Sequence, residues 1–212
     1  MPVSKQPTTK PGESQSVHLT RDDWIDAAWG ALSEGSLDTV KVDPIAKRLK
    51  VTRGSFYWHF KNRQDLIDAV VDRWIYRLGR TTAVHHLIDS EKPPADRLWD
   101  VFEYVIRMVS GPQSVFLRLA AASDPQLLQR IQSEDENRIQ GYTQIFSAMG
   151  LDEVRARRIA EHYYVIVMSE FLRNGCLDLD QRLAAARVQH EFVTETARLF
   201  LEHPRCAVPP SR

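Results

Sequence analysis

The sequence predicts an all-α protein in two parts, a small three-helix head followed by a longer helical body. Apolar residues recur at three- and four-residue spacing from Ile25 onward, and no stretch alternates apolar and polar residues as a half-buried strand would. Gly or Pro stands at most interruptions of that pattern, and no internal repeat is visible. The 28 basic and 28 acidic residues give a formal net charge of zero, so the whole-chain charge offers no argument for a nucleic-acid partner.

Taken in order, the first 16 residues are rich in Pro, Ser, Thr, Lys and Gln and are expected to form a disordered tail. Thr20 and Asp23 have capping-box spacing, and Leu19 and Trp24 are placed as a hydrophobic staple. Ile25, Ala28, Trp29 and Leu32 then form the stripe of a first helix, which Gly35 ends. Asp43 is expected to cap a second helix, with Pro44 at its first position and Leu49 near its end. Lys50-Val51 joins it to a very short third helix that starts from a hydroxyl cap at Thr52. Phe56 and Phe60, one turn apart, face inward there, which turns Arg53, Gly54, Ser55, Tyr57, Trp58 and His59 outward. Asn62 caps a long helix in which Leu66, Val70, Trp74 and Leu78 repeat every fourth residue, with Ile67, Val71 and Ile75 beside them and Gly79 as its stop.

In the body, Ser90 to Asp96 with Pro93-Pro94 reads as a loop. Leu98, Phe102, Val105 and Val109 trace a helix that Gly111-Pro112 breaks, and Val115 to Ala122 forms a shorter one. Asp124-Pro125 opens a helix reaching Met149, marked by Leu128, Ile131, Ile139, Tyr142 and Phe146 and stopped at Gly150. Two more follow, from about Asp152 to Asn174 and from Gln181 to His203. The expected division is a tail at 1–16, a head at 17–64, a connecting helix at 65–80, a body at 81–204 and a tail at 205–212.

Two short helices joined by a tight turn make a helix-turn-helix, which lays its second helix in the major groove of DNA. Local charge agrees, because Lys41, Lys47, Arg48, Lys50, Arg53, Lys61 and Arg63 oppose only Asp43 across this stretch. A basic footprint on a neutral chain fits a DNA-reading head attached to a body that does not read DNA. The interleaved hydroxyls and aromatics suit phosphate and thymine-methyl contacts, whereas a merely solvated basic face would not need them. The tail at 1–16 is a further candidate for nonspecific DNA contact.

Ile45-Ala46, Val51-Thr52, Gly54-Ser55, Tyr57 and His59-Phe60, continuing through Lys61-Asn62-Arg63 to Leu66, resemble the motif I-A-x-x-x-G-V-S/T-x-G/P-S/T-x-Y-x-H-F of the TetR family of bacterial transcriptional regulators. The similar region runs from about Leu19 to Leu78. The resemblance implies an N-terminal DNA-binding domain and a C-terminal domain for effector binding and dimerisation. It further implies a homodimer on a roughly palindromic operator, acting as a ligand-responsive repressor; an activator and a constitutive DNA binder without effector are the alternatives. The DNA-facing set would be Lys41, Lys50, Thr52, Arg53, Gly54, Ser55, Tyr57, Trp58, His59, Lys61 and Arg63, with Arg53, Gly54 and Ser55 nearest the bases and Tyr57, Trp58, His59, Lys61 and Arg63 holding the backbone. Three positions depart from the family. Lys50 stands where a turn glycine is usual, Lys41-Val42 where a hydroxyl is common, and Asp43 where a basic residue can read a base.

Tyr163 to Met168 are consecutively apolar or aromatic, so that helix must be buried on more than one side. It is either a central core helix or, as the resemblance implies, one of two helices packed against a second copy through Tyr164, Val165, Ile166, Val167 and Met168. Trp74, Trp99, Phe102, Arg107, Phe116, Tyr142, Phe146 and His162 are candidates to line a cavity for a small apolar or aromatic effector. Cys176 and Cys206 are too few for a disulfide framework or zinc site, and the adjacent His85 and His86 project in different directions. No Ser/His/Asp spacing, Gly-rich phosphate loop or carboxylate pair stands out, so neither catalysis, nor a metal, nor a cofactor is expected. With no signal peptide and no transmembrane run, a cytoplasmic location is expected.

Overall fold

The computed structural model describes residues 19–79, 82–108, 113–173 and 177–202. Within them the regular structure is entirely helical: α1 (Arg21–Leu32), a 3-10 turn (Leu37–Thr39), α2 (Val42–Arg48), α3 (Arg53–Phe56), α4 (Arg63–Gly79), α5 (Thr82–Ile88), α6 (Pro94–Met108), α7 (Gln113–Ala121), α8 (Pro125–Ala148), α9 (Glu153–Arg173) and α10 (Leu179–Glu202). The expected tails at 1–16 and 205–212, with Cys176 and Cys206, lie outside the described residues. No helix among those described is long and apolar enough to cross a membrane.

Helix starts follow the capping chemistry, because each leaves backbone N–H groups that a side-chain oxygen can accept. Thr20 N donates to Asp23 Oδ2 at 2.7 Å and Asp23 N to Thr20 Oγ1 at 3.3 Å, completing the capping box of α1. Asn62 Oδ1 accepts from Asp65 N at 2.9 Å before α4, and Asp124 Oδ1 accepts from Gln126 N and Leu127 N at 3.0 Å before α8. Two caps differ from expectation. α2 begins one residue before Asp43, from Lys41, whose side chain makes no cap bond, so Asp43 and Pro44 sit inside the first turn. Proline is tolerated there because its missing N–H is an orphan in any case. Thr52 does occupy the cap position of α3, but its hydroxyl makes no cap bond and remains exposed.

In the body, Pro94 supplies the first residue of α6, shortening the expected loop, and α5 is an additional helix before it. α7 starts at Gln113 rather than Val115, and Val109 to Pro112 lie outside the described residues. Met149 caps α8 and Gly150 takes φ 103°, a left-handed conformation that favours glycine.

The head is built on Trp24, Ile45, Phe56 and Phe60, all buried, with Phe56 edge-on to Trp24 at 5.3 Å and stacked on Phe60 at 5.4 Å. The body centres on Tyr163. Phe102, Tyr142 and Phe146 meet its ring edge-on at 5.8, 5.1 and 5.8 Å. Its hydroxyl stands 2.9 Å from His190 Nδ1 and 3.3 Å from the Leu98 carbonyl oxygen, so the buried polar tip is satisfied. Burial, and then the charge of Arg187, push His190 down to about 4, which keeps it neutral near pH 7. The buried pair Arg182–Glu170, 2.7 Å apart, ties α10 to α9.

The all-round apolar segment resolves into two faces. Tyr163, Tyr164 and Val167 are buried within the protomer, Ile166 and Met168 are half-buried, and Val165 is 64% exposed. Tyr164 and Val167 are therefore corrected from the expected interface set: both side chains turn into the protomer, where Tyr164 bonds Asp135 and Arg118.

The α2–α3 turn carries the only non-glycine positive φ among the described residues, Lys50 at 58°. Val51 N donates to Ala46 O at 3.0 Å and Lys50 N to Lys47 O at 3.1 Å, a Schellman closure that places Lys50 at its left-handed position. A side chain there costs about 1 kcal/mol. Lys50→Gly is therefore expected to raise the stability of the protein by about that amount in urea unfolding; an unchanged or lowered midpoint would show that the turn is not strained.

Candidate nucleic-acid interface and ligand cavity

The Schellman turn sets the direction of α3, and the Trp24–Phe56–Phe60 stack holds its inner face, so the remaining side chains point to solvent. Trp58 is 87% exposed and Tyr57 55%, which is unusual for large aromatic side chains. Thr52, Arg53 and Gly54 are exposed at the N-terminal end of α3, with Ser55 half-buried beside them. Lys41, Lys50 and Lys61 are exposed, and none forms an ion pair among the described residues. His59 is half-buried. Arg53 lies 3.4 Å from both the Tyr57 hydroxyl and Asp43 Oδ2, contacts that raise its pKa and keep it charged. Both partners sit at the limit of hydrogen-bond distance and in solvent, so a base edge or phosphate can compete for the guanidinium.

Arg63 has a different occupation from the one expected. Its Nε donates to the Val40 carbonyl at 2.7 Å and its Nη2 to the Leu37 carbonyl, fastening the segment that leads into α2. Arg63 is thus a positioning residue for the head rather than a free cation, because its fork is taken up by the Val40 carbonyl and by the Leu37 carbonyl, which also accepts from Val40 N at 3.1 Å.

α4 joins the head to the body. Arg73 on α4 pairs with Asp22 and, at 2.5 Å, with Asp26 on α1, tying the helix to the head. On the other side Arg130 of α8 reaches Asp72 at 2.6 Å and Asp68 at 3.3 Å. Between these ties Trp74 is buried and donates from Nε1 to Ser114 Oγ of α7 at 2.8 Å.

Trp74 also forms part of the wall of a cavity of about 640 Å³ inside the body. Its wall combines apolar and aromatic side chains, Val101, Val105, Tyr142, Val167 and Met168, with polar ones, among them Ser114, Asp89, Glu134, Arg138 and Tyr164. The volume is in the range of small-molecule sites. Arg118 and Arg138 lie 5.6 and 5.3 Å from the Trp74 ring centre. Arg118 takes both oxygens of Asp135, at 2.6 and 2.7 Å, and the Tyr164 hydroxyl donates to Asp135 Oδ1 at 2.5 Å. Burial is the largest single influence and opposes the Arg118 charge, but the bonds and charges of Asp135 and Tyr164 together outweigh it and the pKa rises. Burial pushes Tyr164 up to about 12 and raises Tyr142 further, so both hydroxyls keep their protons.

Of the expected cavity residues, Trp74 and Tyr142 line it. The others do not. Phe102 and Phe146 are fully buried against Tyr163, and Trp99 lies beside His190 beneath Arg187. Arg107 is exposed and paired with Glu103 at 2.7 Å, and Phe116 is half-buried against the core. His162 is exposed and bonded to the Arg158 carbonyl at 2.8 Å. Sequence reasoning passed over Ser114, Glu134 and Arg138 and placed Tyr164 in the interface set instead. The signal lay in α8, where Glu134 and Arg138 continue the helical stripe of Ile131 and Tyr142, placing charges on a core-facing row. No group of three or more metal-ligating side chains stands together among the described residues.

The family model of bacterial regulatory proteins of the tetR family matches residues 25–70, the stretch containing the helix-turn-helix. Over 86 residues the chain is 32% identical to the tetracycline repressor protein class D of Escherichia coli, a match covering 41% of this chain and 35% of that protein. The chain thus matches about a third of that relative's length. Among solved structures, a TetR transcriptional regulator from Legionella pneumophila superposes with a TM-score of 0.68 at 14% identity, covering 86% of this chain and 99% of that one. The transcriptional regulator FadR from Bacillus subtilis in complex with stearoyl-CoA superposes with a TM-score of 0.59 at 20% identity, covering 82% of this chain and 97% of that one. At these identities the two structures speak to the fold.

Two arginines of the head are expected to behave differently on truncation. Arg63→Ala should lower the thermal midpoint of the protein, since it removes the donor to the Val40 carbonyl and one of the two donors to the Leu37 carbonyl, a loss of about 1 to 3 kcal/mol. Arg53→Ala should leave the midpoint in place and relax base preference at one position, read by selection from random DNA. An unchanged sequence logo for Arg53→Ala, or an unchanged melt for Arg63→Ala, would contradict the respective assignment.

Proposed function

We propose that this chain, which belongs through its helix-turn-helix at residues 25–70 to the tetR family of bacterial regulatory proteins, is a ligand-responsive repressor that binds a palindromic operator as a homodimer. The observation that carries the reading is α4: its start follows the recognition helix within a few residues, and its Trp74 stands in the cavity wall. Arg53, Gly54 and Ser55 read base edges in this reading. Thr52, Tyr57, Trp58, His59, Lys41, Lys50 and Lys61 hold the phosphate backbone, which fixes register. A molecule filling the cavity displaces Trp74, and α4 carries that displacement to the head, since packed helices shift as units. The likeness to a FadR fold holding stearoyl-CoA supports a body of this shape accommodating an apolar ligand.

Ligand binding lowers operator affinity only by the difference in its affinity for the two head spacings. A compound shown by calorimetry to enter the cavity is expected to reduce operator affinity by about 5- to 150-fold, the span of coupling energies of about 1 to 3 kcal/mol. Unchanged operator affinity at saturation would favour a constitutive DNA binder.

The dimer rests on exposed apolar side chains of the last two helices. Val165 and Leu172 on α9 are 64% and 69% exposed, and Val188, Phe192 and Leu199 on α10 are 63%, 69% and 49% exposed at spacings that place them on one side of that helix. Rows of this kind mark association surfaces. Phe192→Glu puts like charges opposite each other in a two-fold interface and should yield a folded monomer, seen as halved mass in light scattering with unchanged circular dichroism. A wild-type chain that is monomeric at micromolar concentration would remove the dimer.

A further inference from the structure

We propose that the cavity's occupant is a singly charged carboxylate on an apolar body, and that Arg138 receives the carboxylate beside Trp74; this rests on the cavity being the effector site proposed above. The argument starts from an imbalance of donors. Arg118 and Arg138 stand over the same indole, yet share one carboxylate, Asp135. Arg118 takes both of its oxygens, and the Tyr164 hydroxyl takes Oδ1 as well. Arg138 is left with a single contact, Nη1 to Asp135 Oδ1 at 3.3 Å. Its Nε and Nη2 are shielded from solvent and make no hydrogen bond, and the side chain as a whole is only 12% exposed.

Apart from the Asp135 contact and the face of the indole, the guanidinium has exchanged water for nothing at two of its donor atoms, which is unfavourable for a buried charge. An acceptor entering the cavity would complete it, and a carboxylate matches the planar fork of arginine. Arg138 is also near enough to the Tyr142 hydroxyl to act on its titration. That phenol keeps its proton and makes no hydrogen bond among the described residues, so it supplies a second donor. Glu134, on the same wall, is engaged in its own interaction. Arg118 is already neutralised by Asp135, and the wall also holds Asp89 and Glu134, whose Oε2 is buried and accepts no hydrogen bond among the described residues, so the unfilled donors of Arg138 suit one negative charge rather than a doubly charged phosphate. Val101, Val105 and Val167 in the same wall would cover an aliphatic or aromatic body.

The test uses the full chain and three probes that differ only in their head group, octanoate, octanol and octylamine, titrated calorimetrically at neutral pH. Octanoate is expected to bind about ten- to a hundred-fold more tightly than either of the others. Arg138→Gln should erase that preference and Arg138→Lys should restore part of it, with circular dichroism confirming the fold. If the glutamine variant does not fold, the lysine variant and the wild-type ranking carry the test. Octanol binding as tightly as octanoate, octylamine binding more tightly, no binding by octanoate, or a preference surviving in Arg138→Gln would each overturn the assignment. Operator affinity measured alongside separates this from the wider reading. Octanol or octylamine shifting operator affinity would retain a ligand-responsive regulator with a different ligand class. Octanoate binding through Arg138 without any shift would retain the carboxylate site and remove the regulation.

Discussion

Everything in this molecule depends on α4 belonging to two cores at once. One face, through Leu66, Ile67 and Val70, is buried with the head, and Trp74 one turn later is buried against the body. Charged side chains reinforce both memberships: Arg73 reaches back to α1 and Arg130 reaches across from α8. Exposed pairs of this kind contribute little to overall stability. Their value is geometric, since they determine which neighbour α4 follows when the packing around Trp74 changes. A helix held on two sides transmits a displacement that a loop would absorb.

The head shows the same economy of means. Its core is a compact set of rings, and the turn before the recognition helix tolerates Lys50 in a left-handed conformation where glycine would be free of strain. What that turn secures is orientation. With Phe56 and Phe60 buried, Tyr57 and Trp58 have nowhere to go but solvent, and a protein that leaves a Trp 87% exposed gains no stability from it. Arg63, by contrast, is drawn inward to two carbonyls, so the basic footprint is narrower than the number of cationic residues in this stretch suggests.

In the body, polar groups in the wall set the character of the cavity. Asp135 gathers Arg118, Tyr164 and, more loosely, Arg138, around the only tryptophan that α4 sends into the body. Charges are kept inside proteins at a free-energy penalty unless they are paired, and here the pairing is uneven. That unevenness is a property of three helices, α7, α8 and α9, and none of them shows it alone.

Much of the architecture was legible residue by residue. Thr20, Asn62 and Asp124 cap the helices their spacing announced, Gly150 stops α8, and the period of Leu66, Val70 and Trp74 places α4's buried face. The helix-turn-helix was equally plain, because capping, periodicity and turn chemistry act over a few neighbouring residues and leave their mark in the order of the chain. Side-chain destinations were not. Phe102 and Phe146 are aromatic and helical like Trp74 and Tyr142, yet the first two fill the core around Tyr163 and the second two face a cavity. Tyr164 and Val167 turn inward while Val165 between them stays in solvent. The sequence by itself determined most of the helical segments, the starts that carry a side-chain cap, and which short helix is presented for recognition, since those depend on local interactions. Only the tertiary structure decided which apolar rows meet each other, which arginine is left with unfilled donors and where space remains, because these depend on the mutual placement of residues far apart in the chain.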